Sequence, residues 1–531
     1  MLVIHNANIH TLNPKQELVI ALAIDQGRIL AVGNDDEILA AFDKSHKLNV
    51  NGRTLLPGLT DAHIHLEEYA FAQQKVDCET QSQLECLERV AARIRDAQPG
   101  EWIMGHGWNQ NNWAEGYGSA QQLDQISPNN PVFLTHKSLH SAWVNSITLQ
   151  LAGIDRNTSN PEGGRISHQE NGDPDGILYE AAVNLIYSIV PEPSPIQIAQ
   201  AFRSMFPMLW KVGLTGVHDF DSRRCLSALQ ILHQAHELKM RVVKGIPLEQ
   251  LPATIDLGLH TGFGDDMLRL GPVKLFADGA LGPQTAAMLE PYEDDPQNHG
   301  ILMLGAGELY EYSRRAVENG LSLAVHAIGD RANREVLNAY AQLRQFERSL
   351  HPQEKSQLQH RIEHVQVLHP DELSRFAELN IIASMQPIHA TSDMRMADRY
   401  WGKRSAYAYA WRSLLSHGAC LIFGSDAPVE SPNPFWGIYA AVTRHRADGS
   451  PSAEGWYAEQ RVNLPEAIHA YTTGPAFAVN MENRLGRLVP GYLADLIILN
   501  QDPYSCPPEE LLNIRPVATM VGGEWAYSEL E

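Results

Sequence analysis

The segment DAHIH (residues 61–65) places two histidines, His63 and His65, two positions apart at the end of an apolar run. In a β-strand, side chains at positions i and i+2 point to the same side of the sheet. Both imidazoles can therefore reach one divalent cation, while Ile64 turns away. Imidazole nitrogens are ordinary ligands of Zn²⁺. The alternative is a pair of satisfied polar residues, a common role for histidine at a strand end.

Four further residues that could hold a metal follow later apolar runs of the chain. They are Lys274, His326, His364 and Asp426. Each has an ordinary interpretation when taken alone; Asp426, in GSDAP, suits the N-cap of a helix. Their joint spacing is more informative, because unrelated polar residues do not recur at the same phase of successive βα units. Together with DAHIH they predict a site for one or two divalent cations.

Lys274 lies in the mostly apolar segment GPVKLFADG, residues 271–279. A protonated lysine is repelled by a dication, but burial and a nearby cation both depress the amine pKa. A neutral amine can take up CO2 and become a carbamate, an anionic ligand able to bridge two metal ions about 3.5–4 Å apart. An ion-paired or solvent-facing lysine is the alternative, and the apolar setting disfavours it.

The elements that must position these residues form a regular series. Apolar, β-branched runs alternate with amphipathic segments of helical spacing. The runs are the one before DAHIH and residues 214–220, 241–248, 271–279, 322–329, 361–368, 381–387 and 420–429. Strands that are apolar on both faces are typical of a parallel sheet covered by helices. The pattern predicts an α/β fold, a (β/α)8 TIM barrel, with its catalytic groups at the C-terminal strand ends.

Three structural regions are expected. Short strands with turn residues between them occupy residues 1–55, and residues 480–531 have the same texture, so both termini should build one composite β-sandwich. The barrel is assigned to residues 56–66 and 210–479. The stretch 67–209 is too long for one βα connection. We predict that it is an inserted subdomain after strand 1 that caps the active site.

Charge and cysteine content exclude some classes of partner. Lys plus Arg total 41 against 63 Asp plus Glu, a net charge of −22. Such an acidic protein is repelled by nucleic acid and by anionic membranes, so neither is an expected partner. The five cysteines form no zinc-type spacing and no disulfide framework. A cytoplasmic location is therefore expected.

These motifs resemble those of the amidohydrolase superfamily, over nearly the whole chain. LLPGLTDAHIH, VKLFADGALG, SLAVHAIGDRA, RIEHVQVL and FGSDAPV are similar to its motifs in order. The inserted stretch, with GWNQNNW and PEGGRI, resembles the YtcJ-like branch, which contains N-substituted formamide deformylases. By position, the resemblance implies that the more buried metal takes His63, His65 and Asp426. The more exposed metal takes His326 and His364, and a carboxylated Lys274 bridges the two.

The resemblance also implies a metal-dependent hydrolase acting on a carbon–nitrogen bond, of amide or N-formyl type, in a small-molecule substrate. A metal-activated hydroxide is expected to attack the carbonyl carbon, while Asp426 takes the proton and passes it to the leaving nitrogen. Zinc is the expected metal, although Mn²⁺ and Fe²⁺ accept the same ligands. The sequence leaves the assembly open, with a homodimer as one option.

Two alternatives remain open from the sequence. One is a mononuclear deaminase of a cyclic amidine on the same fold, with ligands His63, His65, His326 and Asp426 and with His364 as a hydrogen-bonding partner. The other is a non-catalytic regulatory or binding protein that keeps the barrel. Lys274 argues against the first, because a single metal needs no bridge. The complete ligand set argues against the second.

Substrate-binding residues are assigned less directly. The candidates are Arg331, Gln386, Trp108 and His140, with His389 also able to face the pocket. Arg331 suits a substrate carboxylate or an ion pair at a helix start, and Trp108 suits either the outer wall of the pocket or the core of the insert. Glu363, which precedes His364, is expected to point the opposite way, towards the surrounding helices.

Overall fold

A computed structural model describes residues 1–138, 140–350 and 358–530. The chain divides into two compact units. The first comprises Met1–Tyr69 together with Pro195–Glu531, and the second comprises Ala70–Ser194. No helix in the described parts of the chain combines the length and apolar character needed to cross a membrane.

The centre of the first unit is an eight-stranded parallel sheet curled into a barrel. Its strands, numbered 1 to 8 below, are Leu59–Ile64, Leu214–Asp219, Arg241–Pro247, Leu268–Phe276, Leu323–Ala327, His360–His364, Ile381–Met385 and Cys420–Phe423. Each pairs in parallel with the next. Backbone hydrogen bonds from Asp426 N–H to His63 O (2.7 Å) and from His65 N–H to Ala427 O (2.9 Å) join strand 8 to strand 1. The predicted (β/α)8 barrel is confirmed.

Helices follow the strands because the intervening segments carry apolar residues at helical spacing. Those of the first unit outside the sandwich are Leu66–Ala72, Pro195–Lys211, Arg223–Gln234, Leu251–Asp256, Ala306–Val317, Asp330–Leu350, Arg375–Glu378, Pro387–Trp401, Trp411–Ser416, Pro434–Thr443, Leu464–Ala470 and Thr473–Ala478. The helix Pro387–Trp401 is important for the site, since it begins directly after strand 7 with a proline in its first turn. A proline there is pre-organised for helix and lacks only an N–H that has no helical partner.

Two further sheets of the first unit form the β-sandwich. One contains, in spatial order, Arg28–Gly33, Ala21–Asp25, Leu2–His5 and His46–Asn49, with the helix Asp35–Ala41 beside it. The other contains Glu524–Ser528, Pro516–Val521, Leu496–Leu499, Thr54–Pro57, Asn8–His10 and Leu18–Val19. Buried apolar side chains from both chain ends, such as Ile4, Leu55 and Ile498, share one core. Both termini therefore build the sandwich.

The second unit has a six-stranded mixed sheet of its own. The spatial order is Gly164–His168, Pro174–Glu180, Ser141–Val144, Val132–His136, Ile103–Trp108 and Val76–Asp77, with helices Gln83–Arg95, Ala120–Ile126, Ser146–Leu151 and Asn184–Tyr187. Trp108, Trp113 and Trp143 lie in its core. The helix Pro195–Lys211 belongs to the first unit, whereas the sequence assigned it to the insert. That this unit caps the active site stays a prediction.

Candidate metal centre

Three side chains meet at the C-terminal mouth of the barrel. His63 Nε2 lies 3.5 Å from Asp426 Oδ1, and His65 Nε2 lies 3.4 Å from the same oxygen. One donor atom from each residue lies within 4.8 Å of the other two. Both histidines face one side, as strand alternation predicts for DAHIH. Two imidazoles and one carboxylate in this arrangement are a ligand set suited to a divalent cation.

Hydrogen bonds between the ends of strands 8 and 1 fix the position of Asp426. Asp61 Oδ1 accepts the backbone N–H of His63 and that of Ser425, each at 3.0 Å. Asp61 Oδ2 accepts the Ser425 hydroxyl at 2.5 Å, and burial raises the pKa of this carboxyl to about 7. Asp426 itself has φ +61°. Residues other than glycine rarely adopt this conformation, and those that do cluster at functional sites.

His326 and His364 extend the cluster across the mouth. The ring centroid of His364 lies 4.8 Å from that of His63 and 4.5 Å from that of His326. His364 has φ +74°, so the backbone turns out of the strand immediately after Glu363. The structure thus brings together the four predicted histidines of strands 1, 5 and 6.

Lys274 lies in the same interior and is only 4 % exposed. Its Nζ lies 4.8 Å from the ring centroid of Phe220 and 5.1 Å from that of Phe276. Burial lowers the pKa of the amine to about 8. Burial, and after it the charge of Lys274, lowers the pKa of His63 and of His326. A lysine with a depressed pKa supplies more of the neutral amine that carbamate formation requires.

Each of the four histidines donates one ring N–H to an oxygen. Nδ1–H of His63 donates to Glu363 Oε2 (2.6 Å), Nδ1–H of His65 to Asp221 Oδ1 (3.0 Å), Nδ1–H of His364 to Gln386 Oε1 (2.9 Å), and Nε2–H of His326 to Gly279 O (2.9 Å). Metal-binding histidines nearly always have such a partner, because it fixes the tautomer. The opposite nitrogen of each ring is the one available to a cation.

The prediction for Glu363 is wrong. Its side chain does not point towards the helices but is fully buried beside His63. The positive φ of His364 explains the difference, since it breaks the alternation that would have placed these neighbours on opposite faces. Arg361 Nε lies 2.5 Å from Glu363 Oε1. Burial alone would raise the pKa of Glu363, but the charges of Arg361 and His63 hold it well below its usual value.

The histidines differ in protonation. Burial lowers the pKa of His63 and of His326 to about 4, so both rings are neutral at physiological pH. For His65, burial is outweighed by hydrogen bonds to Asp221 and Asp426, and the pKa rises to about 10. A metal ion at this site must therefore displace a proton from His65.

The side chains fit a divalent cation. Within the parts of the chain that the structure describes, the buried Nε2 of His63 has no hydrogen-bond partner. A buried polar nitrogen without a partner is costly unless a ligand or ion satisfies it. Asp426 keeps its negative charge here, since His65 and the neighbouring rings hold its pKa well below the usual value despite burial. This combination of nitrogen and oxygen donors suits zinc, manganese or iron.

Comparisons with known proteins agree with this geometry. Residues 48–527 match the Amidohydrolase family. This chain belongs to the amidohydrolase family. Its activity is thus of the metal-dependent hydrolase class, and the resemblance inferred from the sequence motifs is confirmed.

Individual relatives of this amidohydrolase match it from end to end. The protein named "Putative amidohydrolase YtcJ" from Bacillus subtilis (strain 168) is 31 % identical, with 99 % of each chain covered. The N-substituted formamide deformylase of Arthrobacter pascens is 30 % identical, covering 99 % of this chain and 98 % of its own. The crystal structure of an uncharacterized metal-dependent hydrolase from Pyrococcus furiosus superposes with a TM-score of 0.78 at 30 % identity, covering 94 % of this chain and 99 % of that one.

The predicted substrate-binding residues of the amidohydrolase occupy varied places. Arg331 is exposed in the first turn of helix Asp330–Leu350. Gln386 is buried and holds His364. Trp108 is buried in the core of the second unit and donates to Leu134 O at 2.9 Å. His140, in the same unit, is exposed and pairs with Glu180 at 2.8 Å. Of the two that lie in the first unit, Gln386 contacts the metal-centre cluster through His364.

Sequence reasoning missed two carboxylates of the site and gave little weight to one histidine. Asp61 and Asp221 both support the ligand cluster through hydrogen bonds. Asp221 stands just past strand 2, so the same rule that found the other strand ends could have found it. His389 lies in the first turn of helix Pro387–Trp401, and its Nε2 is 3.9 Å from Asp426 Oδ2.

Proposed function

We propose that this amidohydrolase hydrolyses a carbon–nitrogen bond of amide or N-formyl type in a small molecule. The observation that carries the proposal is the convergence of His63, His65 and His364 on one negatively charged carboxylate, Asp426. The full-length similarity to an N-substituted formamide deformylase supports this choice of bond. Membership of the family does not by itself specify which type of bond is hydrolysed.

We further propose two zinc ions per chain, with Lys274 as a bridging carbamate. The buried position of Lys274 and its lowered pKa support carbamate formation. His63, His65 and Asp426 would hold one ion, and His326 and His364 the other. When bound, the metal supplies a Lewis acid and lowers the pKa of water to near neutrality.

Asp426 is the residue proposed to move the proton. Its carboxylate is charged and lies at the meeting point of the ligand histidines, so it can accept a proton from the attacking water and deliver it to the leaving nitrogen. The joint between strands 8 and 1 fixes its position, as a proton-transfer group requires. The tilted ring of Phe276, half exposed and 5.3 Å from His326, offers an apolar wall beside the reacting group.

The test combines elemental analysis of the purified protein with a hydrolysis screen of N-formyl and N-acyl amines. We expect about two metal ions per chain and release of free amine. Asp426→Asn should lower kcat by about 10²–10⁴-fold, the usual contribution of a general acid–base, with an unchanged circular dichroism spectrum. Asp371→Asn, an exposed aspartate that is 76 % accessible, is the matched control and should be fully active.

Two results would overturn the proposal. A fully metal-loaded preparation that cleaves no member of the panel would exclude this type of bond. Equal activity of the wild type and of Asp426→Asn would exclude the proton-transfer role even if amides are cleaved.

A further inference from the structure

His389 is a buried histidine beside the metal-centre cluster that the mechanism above does not use. It is 6 % exposed, and its ring is parallel to that of His364 within 4°, with 6.3 Å between the centroids. Its Nε2 is buried and has no hydrogen-bond partner among the described residues. The nearest acidic oxygen, Asp426 Oδ2, is 3.9 Å away, too far for a hydrogen bond. The unsatisfied nitrogen thus lies beside Asp426, the residue proposed to move the proton.

His389 differs from the ligand histidines in the group that contacts its second ring nitrogen. His63, His65, His326 and His364 each have an oxygen acceptor behind one nitrogen. His389 Nδ1 instead faces the amide nitrogen Nε2 of Gln366, at 3.4 Å. With the Gln366 amide in this orientation its N–H donates to Nδ1, and we therefore assign the proton of the ring to Nε2. In this form Nε2–H is a hydrogen-bond donor to an oxygen.

The surrounding contacts hold the ring in place. Gln366 O accepts the backbone N–H of Tyr409 at 2.7 Å. The Tyr409 hydroxyl donates to Asp393 Oδ2 at 2.5 Å, and Asp393 lies one turn beyond His389 on the same helix. The helix that carries His389 is therefore fixed to the segment that carries Gln366, as a preorganised hydrogen-bond donor requires.

We propose that His389 is a catalytic residue whose Nε2–H donates to the carbonyl oxygen of the substrate as that oxygen becomes negatively charged; this rests on the proposed function. In the addition step, the water oxygen bonds to the carbonyl carbon, Asp426 takes one water proton, and the carbonyl π pair moves to the oxygen held by His389. In the second step, an electron pair of the negatively charged oxygen re-forms the carbonyl bond, and the C–N bond breaks with its electron pair going to nitrogen. That nitrogen takes the proton from Asp426, which leaves an acid and an amine.

The test compares His389→Leu, which removes the donor, with His389→Gln, which retains an amide N–H. Loss of one oxyanion donor costs about 10²–10³-fold in kcat. We expect that loss for His389→Leu, with a smaller change in KM, and partial recovery for His389→Gln. Metal content and thermal stability should match those of the wild type in both variants. His417→Leu, at an exposed histidine, is the control and should be fully active.

A second variant tests the tautomer. Gln366→Leu removes the amide N–H that fixes the proton on Nε2, so the ring can also adopt the tautomer with its proton on Nδ1. We expect kcat to fall, but by less than in His389→Leu because the ring remains, with unchanged metal content. Activity equal to that of the wild type in Gln366→Leu would contradict the role assigned to the Gln366 amide.

Other outcomes separate this proposal from the proposed function. Loss of a metal ion in His389→Leu, seen by elemental analysis, would make His389 a ligand and overturn the donor role. If the wild type cleaves no amide, the proposed function fails, and binding of methylphosphonate to the metal-loaded protein, measured by calorimetry, still tests the donor. We expect at least about 10-fold weaker binding by His389→Leu. Equal binding by the two proteins would overturn the inference.

Discussion

An imidazole ring has two nitrogens, and the partner of one decides what the other can do. In this protein, the oxygens that accept hydrogen bonds from the ligand histidines are of two kinds. The ring N–H groups of His63 and His65 donate to carboxylates, whereas those of His326 and His364 donate to neutral oxygens. A carboxylate partner raises the basicity of a metal-binding ring. The position formed by His63 and His65 should therefore bind its cation more tightly.

Removing the negative charge behind His63 should weaken metal binding. Glu363→Gln keeps the size of the side chain but turns a charged acceptor into a neutral one. We expect the affinity for the tighter metal to fall by about 10–100-fold, measured by competition with a chromophoric chelator. Glu237→Gln, at an exposed ion pair with Arg203, is the control and should bind metal as the wild type does. Unchanged affinity in Glu363→Gln would show that its carboxylate serves packing alone.

Metal binding should release a proton from His65. Its pKa is raised to about 10 without metal, so between about pH 7 and 9 the ring is protonated until a cation displaces the proton. Calorimetric titration with Zn²⁺ in buffers of different ionisation enthalpy should show release of about one proton at pH 8 from this residue. Asp221→Asn removes the main support for the charged ring and should release less. Equal proton release by the two proteins would contradict this assignment.

At the level of single residues, the sequence predicts the metal-binding side chains better than the side chains that hydrogen-bond to them. His63 and His65 follow from strand alternation, and His326 and His364 from their place after apolar runs. Glu363 could not be placed, because it depends on the positive φ of its neighbour, which no local pattern signals. Side-chain partners from distant parts of the chain, such as Asp221 with His65, depend on the closed barrel rather than on local sequence.

At the level of elements, the joint between strands 8 and 1 decides whether Asp426 meets the histidines. Ser425 donates its hydroxyl to Asp61 and accepts the backbone N–H of Ala427 at 3.0 Å. Ser425→Ala leaves the buried Asp61 carboxyl with fewer donors, which costs about 1–3 kcal/mol. We expect a lower midpoint of urea unfolding and a lower metal content. Ser146→Ala, whose hydroxyl is bound to Asp124 at the exposed surface, should change neither quantity.

The regular elements could be predicted because barrel strands are buried on both faces and therefore apolar throughout. Predicted and observed strands overlap in every case, for example 361–368 against His360–His364. The insert could be recognised only by its length. Its own mixed sheet and Trp-rich core follow a different pattern, and the helix Pro195–Lys211 at its end belongs to the barrel unit because its apolar side chains, such as Phe202 and Leu209, are buried there.

In the molecule as a whole, one buried ion pair ties the sandwich to the barrel. Arg241 begins barrel strand 3, and Asp495 precedes a sandwich strand, Leu496–Leu499. The guanidinium donates to Asp495 through Nε at 2.5 Å and Nη2 at 2.7 Å. The side chains are 7 % and 2 % exposed, and Asp495 Oδ1 also accepts the backbone N–H of Gly522 at 2.7 Å. The sandwich and the barrel are therefore linked by an ion pair that is buried away from water.

Breaking this pair on one side should destabilise the protein far more than breaking an exposed pair. Asp495→Ala leaves the guanidinium of Arg241 buried without its counter-ion, a change that costs about 3–5 kcal/mol. Asp173→Ala removes the partner of Arg156 at the surface, where side chains are 60 % and 43 % exposed, and should cost less than about 1 kcal/mol. Calorimetric unfolding of the metal-loaded protein measures both. The double variant Arg241→Met with Asp495→Leu should recover most of the loss, because the cost lies in the unpaired charge rather than in the missing attraction. A double variant no more stable than Asp495→Ala would show instead that the ion pair itself holds the sandwich on the barrel.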